Sequence, residues 1–309
     1  MKVMTQDGLQ PEAHAPEGAG LPGAPEATEE PAFAVARPER LSTPLVFASP
    51  HSGRLYPEEM LAASALDAAA IRRSEDAFVD LLVESAAQAR APVLSARYAR
   101  AYMDVNREPY ELDQGMFEDP LPPFASARTA RVAAGIGSIA RVVAEGQEIY
   151  RGKLMVGDAL RRIEAVHRPY HAALRALLDE TRAAFGLAIL IDWHSMPSAA
   201  AGQGRSPPAD LVLGDRFGAA CSRLVTGAWE RELSALGYRV TRNTPYAGGY
   251  TTEFYGRPDK GIHALQIEIN RALYLDEARL EPHAGYETLE RDLKRVVANL
   301  AAADWGRLT

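Results

Sequence analysis

Short apolar runs alternate along the chain with longer stretches in which apolar residues recur at helical spacing. The runs are typical of buried strands because they are brief and bounded by turn-forming or charged residues; they cover residues 44–49, 92–98, 101–105, 187–193, 211–213, 238–241 and 263–270. One helix is predicted to begin at Pro57, and a second to cover about 75–90 with Ser74 as its N-cap. Further helical stretches are predicted over about 135–184, 215–236 and 284–303. This alternation predicts one α/β domain with a mixed sheet.

The first part of the chain differs from the rest. Residues 1–40 are rich in Pro, Gly, Ala and Glu and show no apolar periodicity. Such a segment buries too little apolar surface to offset the entropy lost on ordering. We therefore expect a disordered tail over 1–40 and a single folded domain over 41–309.

Composition removes several classes of function. The chain of 309 residues carries a net charge of −7, which argues against a nucleic-acid partner. A single cysteine rules out an internal disulfide and a cysteine-based zinc site. No apolar run approaches the roughly 18 residues of a membrane span, and the N-terminus lacks an apolar signal core. We expect a cytoplasmic protein whose partner is a small-molecule substrate; the oligomeric state stays open.

Three predicted strands end in a residue that can take part in metal chemistry: His51, His194 and Glu268. Ligands of open α/β sheets bind outside the carboxyl ends of the strands. Either histidine alone could be an ordinary hydrogen-bonded residue, but two of them at strand ends favour a metal site.

A third metal ligand has to come from a carboxylate. Arg54 stands where the His-x-x-Glu pattern of zinc peptidases would place a glutamate after His51. Ser74-Glu75-Asp76 offers two acids; they could also serve only as favourable charges at a helix N-terminus. We favour Asp76, with Glu75 as the alternative.

Glu268 lies among apolar residues, where a carboxylate needs a partner or a chemical role. It is interpreted as the general base that takes a proton from water. The alternative is a buried ion pair with Arg271.

Further residues are candidates for substrate binding. Arg107 has the fork geometry that binds a carboxylate, and Asn106 could orient the same group; a solvated strand end is the alternative. Thr251 and Thr252 follow two glycines in a predicted flexible loop that could approach an anion, or could simply be mobile. His171 is expected to have a packing role. Ser195 lacks the Gly-x-Ser-x-Gly signature of serine hydrolases.

Taken in order, several segments resemble the N-formylglutamate amidohydrolase (deformylase) family. They are Ser49-Pro50-His51-Ser52-Gly53, Glu75-Asp76 with Asp80, Ala96-Arg97-Tyr98 through Asp104-Val105-Asn106-Arg107, Asp192-Trp193-His194-Ser195 and Gln266-Ile267-Glu268-Ile269-Asn270-Arg271. The resemblance spans residues 44 to about 280. It implies a three-layer α/β/α sandwich with a central mixed sheet, of the zinc-peptidase type shared with zinc carboxypeptidases and aspartoacylases.

The resemblance also implies a chemistry. Zn²⁺ would be held by His51, Asp76 and His194, Glu268 would be the base, and Asn106 with Arg107, helped by Arg271, would hold the substrate carboxylate. The expected reaction is hydrolysis of an N-acyl amino acid, foremost N-formyl-L-glutamate to formate and L-glutamate in histidine degradation. The alternatives are a zinc carboxypeptidase, a deacylase for larger N-acyl amino acids, and a non-catalytic metal or amino-acid binding protein.

Overall fold

The computed structural model describes residues 30–88, 90–202 and 207–308. Its strands are β1 (Phe33–Ala36), β2 (Leu45–Ser49), β3 (Val93–Ala96), β4 (Ala188–Met196), β5 (Leu211–Gly214), β6 (Val240–Arg242) and β7 (Ile262–Asn270), with a separate hairpin of β8 (Leu275–Asp276) and β9 (Glu281–Pro282). Its α-helices are α1 (Glu58–Ala63), α2 (Val79–Ala87), α3 (Ala130–Ala133), α4 (Val156–Arg162), α5 (Arg168–Phe185), α6 (Ser198–Ala201), α7 (Arg223–Ala235), α8 (Tyr250–Tyr255) and α9 (Gly285–Ala301).

The seven main strands form one mixed sheet in the order β1-β3-β2-β4-β7-β5-β6. The four central strands β3, β2, β4 and β7 run parallel, while β1 pairs antiparallel with β3 and β5 pairs antiparallel with β7. The predicted mixed sheet is thus confirmed. The carboxyl ends of β2 and β4, which precede or carry the two candidate histidines, meet at one edge of the sheet.

The sheet is covered on both faces. Along β4, Ile189 and Ile191 pack into one apolar cluster together with residues of α2, α7 and α9, while Leu190 packs into a second cluster together with residues of α5. Successive side chains of a strand point to opposite faces, so each fully buried strand contributes to both cores. This gives the predicted three layers, helices–sheet–helices.

Several predicted boundaries are wrong. Residues 101–105 form turns in which Tyr102 and Met103 donate backbone hydrogen bonds to Ala99, so this segment is not a strand. The helix expected over 75–90 begins only at Val79, after Phe78 with a φ of 64°. Residues 135–155 contain turns, isolated β-bridges and a short 3₁₀ segment instead of a helix, and the helix expected over 215–236 begins at Arg223.

The disordered tail expected over residues 1–40 extends too far towards the folded domain. Phe33–Ala36 is an edge strand of the main sheet, so the ordered domain begins before residue 41. The remainder of the expected tail, residues 1–29, lies outside the described residues. Within the described ranges, no helix is long and apolar enough to cross a membrane.

Candidate active site

Two histidines and an aspartate converge where the central strands end. His51 follows β2 after Pro50, and His194 lies near the end of β4. Asp76 follows a 3₁₀ turn, Ile71–Ser74, and its backbone N–H donates to the His51 carbonyl at 3.0 Å. The turn after His51 depends on Gly53, because a Cβ there would lie 2.1 Å from the Tyr98 carbonyl oxygen.

Three side-chain atoms of this group point at one another. His51 Nδ1 lies 3.0 Å from His194 Nδ1, and Asp76 Oδ2 lies 3.1 Å from His194 Nδ1 and 3.5 Å from His51 Nδ1. Two ligand atoms bonded tetrahedrally to one zinc ion at 2.0–2.1 Å are about 3.3 Å apart. The separations therefore fit a metal ion held by these three residues, the set predicted from the sequence.

The other nitrogen of each histidine is held by a carboxylate. His51 Nε2 lies 2.7 Å from Asp104 Oδ1, and His194 Nε2 lies 3.1 Å from Asp192 Oδ2. Each carboxylate favours the tautomer with the proton on Nε2, which leaves the Nδ1 lone pair free to bind a cation. The sequence analysis gave Asp104 no role of its own. Its position two residues before the candidate Asn106 was the feature that could have drawn attention to this carboxylate.

The charges around the histidines favour a positive charge between them. Burial lowers the pKa of His194, but Asp192 and Asp76 outweigh burial and raise that pKa to about 10. Burial raises the pKa of Asp76, but the two histidines outweigh it and hold that pKa well below its usual range. A site that stabilises either an imidazolium or a cation in this way suits a divalent metal.

The choice between Asp76 and Glu75 follows from their contacts. The Glu75 carboxylate accepts hydrogen bonds from Tyr56 and Arg72, 2.7 and 3.0 Å away, and is not part of the His51, Asp76 and His194 group. The Asp76 carboxylate is 1% exposed and contacts both histidines. Asp76 is thus the acid that the structure brings to the cluster.

Glu268 lies beside the cluster, on the strand next to His194. The two residues are register partners on β7 and β4, and both side chains line one cavity. Glu268 Oε1 accepts a hydrogen bond from Gln266 at 2.8 Å. Burial raises the pKa of Glu268 to about 7, so the carboxylate can exchange a proton near neutral pH.

Arg271 does not form the ion pair with Glu268 that was the alternative interpretation. Its guanidinium donates to Asp76 Oδ1 at 3.1 Å, to the Glu75 carbonyl at 2.7 Å and to Ser195 Oγ at 3.1 Å. Ser195 Oγ in turn donates to Asp76 Oδ1 at 3.2 Å. Arg271 therefore orients the aspartate of this candidate metal cluster, although it also lines the cavity.

Asn106 and Arg107 both line the cavity, with different freedom to bind a ligand. Asn106 Oδ1 accepts from the Thr251 N–H at 2.8 Å, and Asn106 Nδ2 donates to Asp192 Oδ2 at 3.4 Å, so both ends of its amide are occupied. Arg107 donates Nε to the Ile136 carbonyl and Nη1 to the Asn106 carbonyl. Its Nη2 group has no hydrogen-bond partner within the described ranges and remains available to an anion.

Comparison with known proteins assigns most of this chain to one family. A family model described as N-formylglutamate amidohydrolase matches residues 43–275, which include every member of the cluster. This chain is a member of the N-formylglutamate amidohydrolase family. The family resemblance inferred from the sequence is thereby confirmed.

Individual relatives of the N-formylglutamate amidohydrolase family extend the match over most of the chain. An N-formylglutamate deformylase of Pseudomonas putida is 30% identical over 268 residues, covering 85% of this chain and 93% of the relative. One of Pseudomonas aeruginosa is 29% identical over 277 residues, covering 87% and 96%. The crystal structure of an N-formylglutamate amidohydrolase from Ralstonia eutropha JMP134 superposes with a TM-score of 0.82 at 38% identity, covering 87% of this chain and 97% of that one.

The cavity of this family member has a volume of about 620 Å³ and an uneven lining. Its polar lining residues include His51, Asp76, His194, Glu268 and six arginines: Arg73, Arg100, Arg107, Arg131, Arg216 and Arg271. Its apolar lining residues include Ile136 and Val142–Ala144. Arginines outnumber carboxylates in the lining, so the cavity suits an anionic ligand although the whole chain is acidic.

Two predicted site residues lie elsewhere. Thr251 and Thr252 are fully buried in α8, and neither is among the residues that line the cavity. The preceding Gly248 and Gly249 do line it, and a Cβ on Gly249 would lie 2.7 Å from Asn106 Nδ2. The predicted flexible loop over 248–252 is therefore wrong from Tyr250 onward, where a helix begins.

Proposed function

We propose that this protein is a zinc-dependent amidohydrolase that converts N-formyl-L-glutamate and water into formate and L-glutamate. The observation that carries the proposal is the convergence of His51 Nδ1, His194 Nδ1 and Asp76 Oδ2 beside a buried glutamate in an arginine-rich cavity. The substrate is taken from the names of the relatives. The same proposal includes the zinc-peptidase type of fold, a role in histidine degradation and a cytoplasmic location.

The donor set fits zinc better than a hard cation. Two neutral imidazoles and one carboxylate form a common set of three protein ligands in catalytic zinc sites, which keep one position open. Zinc held by His51, Asp76 and His194 would supply a Lewis acid that polarises the scissile carbonyl and lowers the pKa of water.

Proton transfer, substrate binding and support of the metal-binding side chains are assigned to different residues of the protein. The Glu268 carboxylate takes the proton from the attacking water and returns it to the leaving amine nitrogen, a role that suits a pKa near 7. The free Nη2 group of Arg107 holds a substrate carboxylate and fixes the formyl group in register with Glu268. Asp104, Asp192 and Arg271 hold the metal-binding side chains in place.

The cavity volume supports a second candidate within the same chemistry. A cavity of about 620 Å³ is large enough for a drug-sized ligand and leaves room beside a formyl amino acid. A deacylase for larger N-acyl amino acids would use the same metal and base. A non-catalytic binding protein is disfavoured because binding alone needs no titratable glutamate beside the cluster.

The test measures zinc content and formate release from N-formyl-L-glutamate, before and after chelation. We expect one zinc per chain and turnover that is lost with the metal and restored by adding it back. Glu268→Gln should retain zinc and lose most of kcat, whereas Glu281→Gln, at an exposed site in β9, should leave both unchanged. Turnover that survives complete metal removal would refute the mechanism. Zinc without turnover, combined with activity on longer N-acyl amino acids, would favour the second candidate.

A further inference from the structure

The backbone that carries Asn106 and Arg107 is held by two histidines from a distant helix. His171 Nε2 donates to the Val105 carbonyl at 2.7 Å, and His167 Nε2 donates to the Arg107 carbonyl at 2.9 Å. The two carbonyls flank Asn106 on both sides. Because this segment has turn rather than strand structure, no ladder of backbone hydrogen bonds fixes it.

The two histidines are presented by an irregularity in the helix. Residues Ile163–His167 form a π-helical segment between α4 and α5, and Pro169 follows at the start of α5. Proline has no N–H for the preceding turn, and π-helical insertions are frequent at functional sites. The ring centroids of His167 and His171 are 4.3 Å apart, so the two donors act side by side.

A second helix holds the same segment from another direction. The Thr251 N–H, in the first turn of α8, donates to Asn106 Oδ1 at 2.8 Å. Tyr255, at the end of α8, places its hydroxyl 3.0 Å from His171 Nδ1. The Val105 carbonyl can only accept, so the proton of the neutral His171 ring lies on Nε2 and Nδ1 is left as an acceptor for the Tyr255 hydroxyl.

We propose that His167 and His171 are positioning residues that fix the Arg107 guanidinium in the cavity. We refer to them as the histidine clamp. The proposal rests on the proposed function, in which Arg107 binds the substrate carboxylate. The other hydrogen bonds of this backbone lie before Arg107 or within the turn: Asp104 N–H donates to the Ser138 carbonyl at 2.8 Å, and Arg107 N–H donates to the Asp104 carbonyl at 3.3 Å. The carbonyl of Arg107 itself is held by His167.

The state of the clamp histidines agrees with this role. Burial lowers the pKa of His167 to about 4 and, together with its neighbour His167, the pKa of His171 to about 3. Both rings are therefore neutral at pH 7 and can lie in contact without repulsion. A neutral ring with the proton on Nε2 still donates the hydrogen bond that holds the carbonyl.

The first test compares His167→Leu with His167→Gln, because the Gln amide nitrogen can replace Nε2 as a donor whereas Leu cannot. The loss of one hydrogen bond is worth up to about tenfold, so His167→Leu should raise KM for N-formyl-L-glutamate by about that factor. We expect kcat to change less than about twofold and zinc content to stay at the wild-type value. His167→Gln should restore most of the lost affinity.

The second test is a double-mutant cycle with Arg107→Ala. If the clamp acts through Arg107, His167→Leu should add less than about twofold to KM once the guanidinium is gone. A purely structural role would lower kcat or zinc content in every background and would not be rescued by Gln. Additive effects of the two substitutions would overturn the clamp.

The wild-type assay separates this proposal from the one on which it rests. A zinc-loaded wild-type protein that releases no formate would overturn the proposed function, and the clamp as a substrate-positioning device with it. A competent wild-type enzyme in which His167→Leu leaves KM unchanged would overturn the clamp alone. A KM increase that is rescued by Gln and absent without Arg107 would support it.

Discussion

Replacing Arg271 by methionine separates two roles that the sequence could not distinguish, substrate binding and support of the metal cluster. Methionine keeps most of the apolar length of the side chain and removes its hydrogen-bond donors. In the wild-type protein these donors reach Asp76 Oδ1, the Glu75 and Arg73 carbonyls and Ser195 Oγ. We therefore expect Arg271→Met to weaken zinc binding and folding more than it weakens substrate binding.

The magnitude follows from burial and partner number. The Arg271 and Asp76 side chains are 7% and 1% exposed, so solvent screens their attraction little. Removing one partner of a buried ion pair costs about 3–5 kcal/mol of folding stability. Loss of an outer-shell partner of a metal ligand lowers metal affinity by about 10–100-fold. We expect both effects in Arg271→Met.

The assays are urea unfolding of the metal-free protein and zinc affinity by competition with a chromophoric chelator. Arg279→Met is the control, since its side chain is 75% exposed and lies 4.0 Å from Asp276. An Arg271→Met protein with wild-type zinc affinity and stability but a strongly raised KM would refute the reasoning. In that case the guanidinium would contact substrate rather than support Asp76.

Three further predictions concern the surroundings of the cluster. Gly249→Ala would push a methyl group against Asn106 Nδ2, 2.7 Å away, and should lower kcat/KM by at least about tenfold, whereas Gly152→Ala, with no atom within 4 Å, should not. Asp104→Asn removes the charge beside His51 Nε2 and should weaken zinc binding by about 10–100-fold; unchanged affinity in a chelator competition would contradict this. Burial lowers the folded-state pKa of His167 to about 4 and of His171 to about 3, below the unfolded value of about 6.5. The stability that depends on these neutral rings is therefore retained above pH 6.5 and lost as the pH falls towards 4 for His167 and towards 3 for His171. The free energy of urea unfolding should decline by up to about 1.4 kcal/mol per pH unit for each histidine. His171→Gln should remove the contribution of His171 to this decline; a decline as steep as that of the wild-type protein would disprove the assignment.

The central strands and the convergence of His51, Asp76 and His194 were predictable because their signals are local. The strands β2, β4 and β7 are buried on both faces, so each reads as a continuous apolar run. A histidine directly after such a run is placed at the sheet edge by chain geometry alone. The preference for Asp76 over Glu75 agreed with the structure, although the reason, the contacts of Glu75 with Tyr56 and Arg72, was not visible in the sequence.

The contacts that the sequence did not reveal join distant parts of the chain. Arg271 reaches Asp76 across 195 positions, and His167 reaches Arg107 across 60. Thr251 and Thr252 were predicted to lie in a loop because two glycines precede them and because the helix that contains them, α8, has only six residues. Short elements that are stabilised by tertiary contacts leave little periodicity to detect.

The edge strand β1 has a consequence for association between molecules. Its four residues pair with Val93–Ala96, so they cover the backbone N–H and carbonyl groups of β3 on that side of the sheet. An uncovered apolar edge strand is a template on which another chain can add a strand. A chain shortened to begin at residue 41, the boundary predicted from the sequence, would keep the whole metal cluster and lose this cover. We expect such a protein to bind zinc as the full chain does but to self-associate as its concentration rises.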